Sequence, residues 1–84
     1  MTRHYVYVVE CADGSLYTGW TTDVDKRIAA HNTGRGAKYT RSRRPVALKL
    51  VESYEDKSQA LKREVEIKRM QRREKQRLID QYEQ

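Results

Sequence analysis

Apolar and polar residues alternate in two blocks near the N-terminus. His4 to Glu10 reads HYVYVVE and Ser15 to Trp20 reads SLYTGW. Both are rich in β-branched and aromatic side chains, which pack well on a pleated surface, and both predict strands. Cys11-Ala12-Asp13-Gly14 between them is a turn signal. Two hairpins fit it. A two-residue turn on Asp13-Gly14 pairs residues 12 and 15 and puts Tyr7 opposite Trp20, on the other face from Tyr17. A three-residue loop with Gly14 in the left-handed conformation pairs residues 11 and 15, then 9 and 17. Tyr7 and Tyr17 then share a face, because cross-strand partners do.

The period changes after Trp20. Thr21-Thr22-Asp23-Val24-Asp25 is a helix start, with Thr22 the expected N-cap and acids in the first turn. The helix should run to about Asn32 and stop at Gly34. Val24 and Ile28 form its apolar stripe, and Arg27 and His31 share another. Residues 33 to 45 hold two glycines, five basic residues and Pro45, and predict a loop. Val46 to Tyr54 predicts a third strand. A second helix should span about 58 to 71, capped by Ser58 or Asp56. A third should span 73 to 83, with Leu78, Ile79 and Tyr82 inward; nothing in Gln71-Arg72-Arg73 decides whether the two are separate. The order β-β-α-β-α-α predicts an α+β fold: a small three-stranded antiparallel sheet flanked by helices.

Angular spacing separates two glutamates on the second helix. At about 100° per residue, Ala60, Leu61, Val65, Ile67 and Met70 cover one broad arc. Glu64 lies near the middle of that arc and Glu66 well outside it. A carboxylate on an apolar face is costly unless it is paired, hydrogen-bonded or metal-bound.

Composition narrows the partners. The 84 residues suffice for one domain, with a modest core. Charged residues are 36% of the chain, the mean hydropathy is −1.03, and the net charge is +6. From Lys26 to Lys49 there are eight Lys or Arg and no acid. An unbroken basic stretch inside a folded domain attracts polyanions, nucleic acid first. The single cysteine, Cys11, cannot form an internal disulfide, and no Cys/His spacing matches structural zinc. No apolar run approaches the roughly 20 residues that span a bilayer. The expectation is a cytoplasmic protein that engages no membrane.

These residues together resemble the GIY-YIG nuclease domain family, over roughly residues 3 to 78. Tyr5-Val6-Tyr7 stands where the family's first tripeptide belongs, and Tyr17-Thr18-Gly19 where its second belongs. Arg27 matches the family's arginine on the next helix. His31 stands one turn further, where several branches carry a histidine. Glu64 matches the metal-binding glutamate. The segments from Glu10 to Gly19 and from His31 to Thr40 are similar to the short stand-alone bacterial branch, the UPF0213-like proteins. Two positions depart from the motifs: Tyr5 replaces the first Gly, and Thr18 the second motif's Ile. The first change adds an aromatic ring beside the site and bears on substrate access.

The resemblance implies a metal-dependent, structure-selective DNA endonuclease acting in repair or recombination, and it selects the three-residue hairpin register. The alternative is a module on the same fold that binds nucleic acid and cuts weakly or not at all. The metal would be Mg²⁺ (Mn²⁺ is the second choice), held by Glu64 with waters and substrate oxygens. Arg27 would hold the scissile phosphate. Tyr7, Tyr17 or His31 would act as the general base, and His31 has the best-matched pKa. Gly19 would permit close backbone approach beneath the site. Lys38, Arg41, Arg43 and Arg44 would contact backbone phosphates, with Arg69, Arg72, Arg73 and Arg77 extending the track. DNA is expected ahead of RNA, in a monomer or weak dimer, with specificity from nucleic-acid shape or a partner protein.

Overall fold

The computed structural model describes residues 2–83. Its elements are β1 (His4–Glu10), β2 (Leu16–Thr21), α1 (Val24–Asn32), α2 (Lys38–Arg41), β3 (Ala47–Tyr54), α3 (Lys57–Arg69) and α4 (Arg72–Tyr82). The expected order is present. One four-residue helix, α2, is added within the stretch read as loop. Its signal is too short to show as a period, and its hold is tertiary, through the buried Thr40.

The three strands are antiparallel in the order β2-β1-β3. The central place of β1 explains its composition. Val6, Tyr7, Val8 and Val9 are all buried, because both faces of this strand are covered. Val6 and Val8 pack with Leu50, Ala60, Ile67 and Ile79, the core beneath α3 and α4. Tyr7 and Val9 pack on the other face with Cys11, Val46, Tyr17, Ile28 and Val51. Burying each such valine fully contributes about 1.5–3 kcal/mol.

The hairpin takes the three-residue register. Val9 pairs with Tyr17 and Tyr7 with Gly19. Cys11 N–H donates to the Ser15 carbonyl at 2.8 Å, and Gly14 has φ +85°. The β1–β3 ladder shifts between Val8 and Val9, where an extra β3 residue bulges out.

Several boundaries differ from expectation for local reasons. Asp23, not Thr22, caps α1: its carboxylate accepts from Lys26 N–H at 3.1 Å, while the Thr21 hydroxyl accepts from Asp23 N–H. At the far end of α1, Gly34 (φ +85°) donates to His31 O and Arg35 to Ala30 O, a Schellman closure. His31 is the fully buried residue of α1. Asp56 caps α3. The helices α3 and α4 are separate, because Met70 and Gln71 adopt extended ψ of 147° and 158°. The Glu74 carboxylate then accepts from Gln71 N–H at 3.3 Å. Val65 and Tyr82, read as inward, are 44% and 54% exposed. Val65 sits at the rim of the arc, where the helix turns toward solvent.

Two clamps hold the layers in register. Asn32 donates to Val46 O and accepts from Val46 N–H, tying the end of α1 to the start of β3. Arg63 on α3 donates twice to the Glu52 carboxylate of β3, at 2.8 and 3.2 Å, and Tyr54 donates to the same carboxylate.

Candidate active site

The site lies on the α1 face of the sheet, and a fully buried phenol is at its centre. Tyr7 points from β1 toward α1. Its hydroxyl oxygen is 2.7 Å from His31 Nε2 and accepts from Arg27 Nε at 3.4 Å. The helical spacing of Arg27 and His31 brings both to this one oxygen, one turn apart. Below lies Gly19, directly across the ladder. A Cβ there would stand 2.5 Å from the Tyr7 hydroxyl oxygen, so the phenol occupies space that only glycine leaves free.

Tyr17 completes the cluster. It presents its ring to His31 edge-on, with centroids 5.5 Å apart, and stacks on Tyr39 at 5.8 Å. Tyr17 is half-buried, whereas Tyr7 and His31 have no exposed surface. Arg27, half-buried, bridges inside and outside. It also lines a shallow hollow of about 410 Å³ with Thr21, Thr22, Asp23, Lys26 and Ala30.

Burial sets the protonation states. It pushes the Tyr7 pKa up; Arg27 opposes that, and the charges of Tyr17 and Glu64 add to it. Burial, and then the Arg27 charge, pull the His31 pKa below its ordinary value. At neutral pH the resting pair is therefore a protonated phenol against a neutral imidazole. Such an imidazole can accept a proton, and the phenol is the nearest donor.

Glu64 lies on α3; its charge adds slightly to the rise of the Tyr7 pKa, but no hydrogen bond or ion pair joins it to Tyr7, Tyr17, Arg27 or His31 among the described residues. The Glu64 side chain is 14% exposed, and one oxygen lies 3.4 Å from Lys68 Nζ. Among the described residues no three His, Cys, Asp or Glu side chains converge. A lone, half-buried carboxylate is a poor donor set for a closed zinc site. It suits a hard cation that brings most of its own oxygen ligands.

The basic residues fall into three groups. Lys38 and Arg41 are exposed on α2, beside the cluster. Arg43 is occupied: it donates to Asp13 Oδ2 and Tyr39 O, and its guanidinium lies 4.0 Å from the Tyr39 ring centre. Arg44 donates to Arg41 O and covers Gly34. Arg72, Arg73 and Arg77 line a separate open hollow on α4. That helix packs on the Val6–Val8 face, the layer opposite the tyrosines. Arg69 lines another hollow with Glu66 and Glu74.

Two contributors carried no sequence signal of a role. Thr40 is fully buried with its hydroxyl 2.8 Å from His31 Nδ1, and Gly36 packs directly on the same ring. Both lie in the stretch shared with the short stand-alone branch, but isolated small residues in a loop have no periodicity to betray contacts.

The GIY-YIG catalytic domain matches residues 3–77 of the chain. The chain belongs to the GIY-YIG family. UPF0213 protein SH2523 of Staphylococcus haemolyticus is 55% identical over 80 residues, covering 95% of this chain and 98% of that protein. A UPF0213 protein of Halobacterium salinarum is 56% identical, covering 90% and 99%. Among solved structures, the UPF0213 protein BH0048 of Bacillus halodurans is 50% identical with a TM-score of 0.62, covering 93% of this chain and 83% of that one. The protein EF2693 of E. faecalis is 41% identical with a TM-score of 0.67, covering 99% and 88%. As for membranes, no described helix is long and apolar enough to cross one.

Proposed function

We propose that this GIY-YIG domain hydrolyses phosphodiester bonds in DNA with a divalent metal, Mg²⁺ first, and prefers branched or flapped over plain duplex substrates. The observation that carries the reading is the 2.7 Å contact between Tyr7 and a buried neutral His31, with Arg27 on the same oxygen. Arg27 holds Tyr7 only at the long limit of a hydrogen bond. A phosphate in the adjoining hollow offers its guanidinium a charged, bidentate partner. Swinging Arg27 outward uncovers the Tyr7 oxygen to water. Tyr7 then takes the water's proton as it passes its own to His31 Nε2. Tyr17, the more exposed phenol, lines the water's position. Glu64 would hold the metal, which supplies positive charge for the phosphoryl oxygens and the leaving oxygen.

Exposed Lys38 and Arg41 contact backbone phosphates, with no base-reading element, so selectivity follows nucleic-acid shape or a partner protein. Nicking of branched, flapped and plain duplex DNA, with and without Mg²⁺, tests the proposal. The native chain cleaves only with metal, and Glu64→Ala loses at least about 100-fold in rate while keeping DNA affinity. Metal-independent products, or equal rates for both proteins, reject it.

A second reading has its own support. Tyr7 and His31 are sealed, and Glu64 is next to Lys68, an arrangement that also suits a non-cleaving nucleic-acid-binding module. Binding by the native chain without any metal-dependent nicking selects it.

A further inference from the structure

We infer that the segment from Gly36 to Thr40 decides which nitrogen of His31 carries its proton: Thr40 keeps Nδ1 protonated, so that Nε2 turns a lone pair toward Tyr7. The inference rests on the proposed role of Tyr7 and His31 as a proton-handling pair.

The argument is a count of donors and acceptors. The Thr40 hydroxyl has one hydrogen and lies 3.0 Å from Ala37 O, to which it donates, and 2.8 Å from His31 Nδ1. With its hydrogen spent on Ala37, the Thr40 oxygen can only accept from His31, so Nδ1 is the protonated nitrogen. Nε2 is then bare and accepts from the Tyr7 hydroxyl at 2.7 Å. The Tyr7 oxygen keeps a lone pair for Arg27 Nε. Every buried hydrogen in the chain Tyr7, His31, Thr40 has an acceptor.

The opposite arrangement fails at Tyr7. Were Nε2 protonated, Thr40 and the Ala37 amide (3.4 Å away) would both donate to Nδ1. The Tyr7 oxygen would receive hydrogens from His31 and Arg27. Its own hydrogen would have no acceptor among the described residues, in a side chain with no exposed surface. An unpaired buried donor costs more than one long amide contact returns.

The local fold fixes this contact. The single turn of α2 places Thr40, with Thr40 N–H on Ala37 O and Arg43 N–H on Thr40 O. Gly36 has no room for a side chain, because a Cβ would run into His31 Nδ1 and Cα. Thr40 is thus a positioning residue. It acts on Tyr7 through the imidazole, as an outer partner fixes the tautomer of a working histidine.

Two-bond ¹H–¹⁵N correlation spectra of the imidazole in the full native chain read the tautomer directly, without activity or a variant. The expected pattern is protonated Nδ1 and bare Nε2. Thr40→Val, which keeps the shape and removes the acceptor, erodes that pattern, and Thr40→Ser retains it. On the best DNA substrate Thr40→Val lowers kcat by about 10–100-fold with little change in KM, and Thr40→Ser stays near native. A protonated Nε2 in the native chain overturns the inference. So does a Thr40→Val protein with the native tautomer and native kcat. If the native chain cleaves no DNA, the proposed function falls, while the tautomer spectra still decide this inference.

Discussion

Tyr7 and Gly19 stand opposite each other across the β1–β2 ladder, and the phenol hydroxyl lies where a Gly19 side chain would be. The glycine is therefore needed for space, with no unusual φ involved. Gly19→Ala must push the Tyr7 ring away from His31 and Arg27. The expected cost is about 1–3 kcal/mol of stability, the range for overpacking a core. The 2.7 Å contact is lost with it. Urea denaturation measures the first effect, and nicking rates the second. A protein of native stability and native rate would show that the ring has room to spare.

His31 makes stability depend on pH in a stated direction. Its folded pKa is depressed, by burial first and the Arg27 charge second. The unfolded chain therefore binds more protons through the ordinary imidazole range. The stabilising contribution is complete above the unfolded value of about 6.5 and is lost as pH falls toward the folded pKa. Glu52 acts in a lower window. Burial works to raise its pKa, but bonds from Arg63 and Tyr54 prevail and the net shift is downward. Its contribution is present above the ordinary carboxylate range and is lost at more acid pH. Denaturation midpoints should thus decline between about pH 7 and about pH 5, and His31→Gln should flatten that decline. A native midpoint that is constant across this interval would contradict the neutral buried imidazole.

The basic residues after α1 should not behave alike. Lys38 and Arg41 are exposed, so replacing either with Ala should weaken DNA binding at all sequences. Each should reduce the slope of log K against log salt by about 0.9 for duplex DNA. Arg43 is held by Asp13, Tyr39 O and the Tyr39 ring. Arg43→Ala should leave the slope nearly unchanged and instead loosen the hairpin turn, which the guanidinium holds through Asp13 Oδ2. Faster amide exchange at residues 11 to 15 would report it. A slope change at Arg43 as large as that at Lys38 would place Arg43 on the DNA.

The strands and long helices were readable because their packing is periodic. Four consecutive buried residues in β1 follow from a β-branched run, and Ile67 and Ile79 from helical arcs. The inward tilt of Glu64 was also readable, because it depends only on angle. The hairpin register was not decided by local chemistry, since Asp13-Gly14 fits two turns. The family likeness chose between them, and the ladder agrees. The caps at Asp23 and Asp56 depend on which of several adjacent polar side chains reaches an amide. Thr40 and Gly36 were silent because their contact is with a residue on another element. The enclosure of Tyr7 was equally illegible: covering it takes α1 on one side and Gly19 beneath.

The middle position of β1 has a consequence for how the chain is made. The strand between the other two, β1, is made before either of them. Its hairpin partner follows within a few residues, but Leu50 and Ala60, which pack with Val8, are synthesised some forty to fifty residues later. Until then the nascent hairpin presents an oily side with nothing to seal it. This face of the sheet closes only once β3, α3 and α4 have been made, and in that interval its exposed apolar surface is open to aggregation.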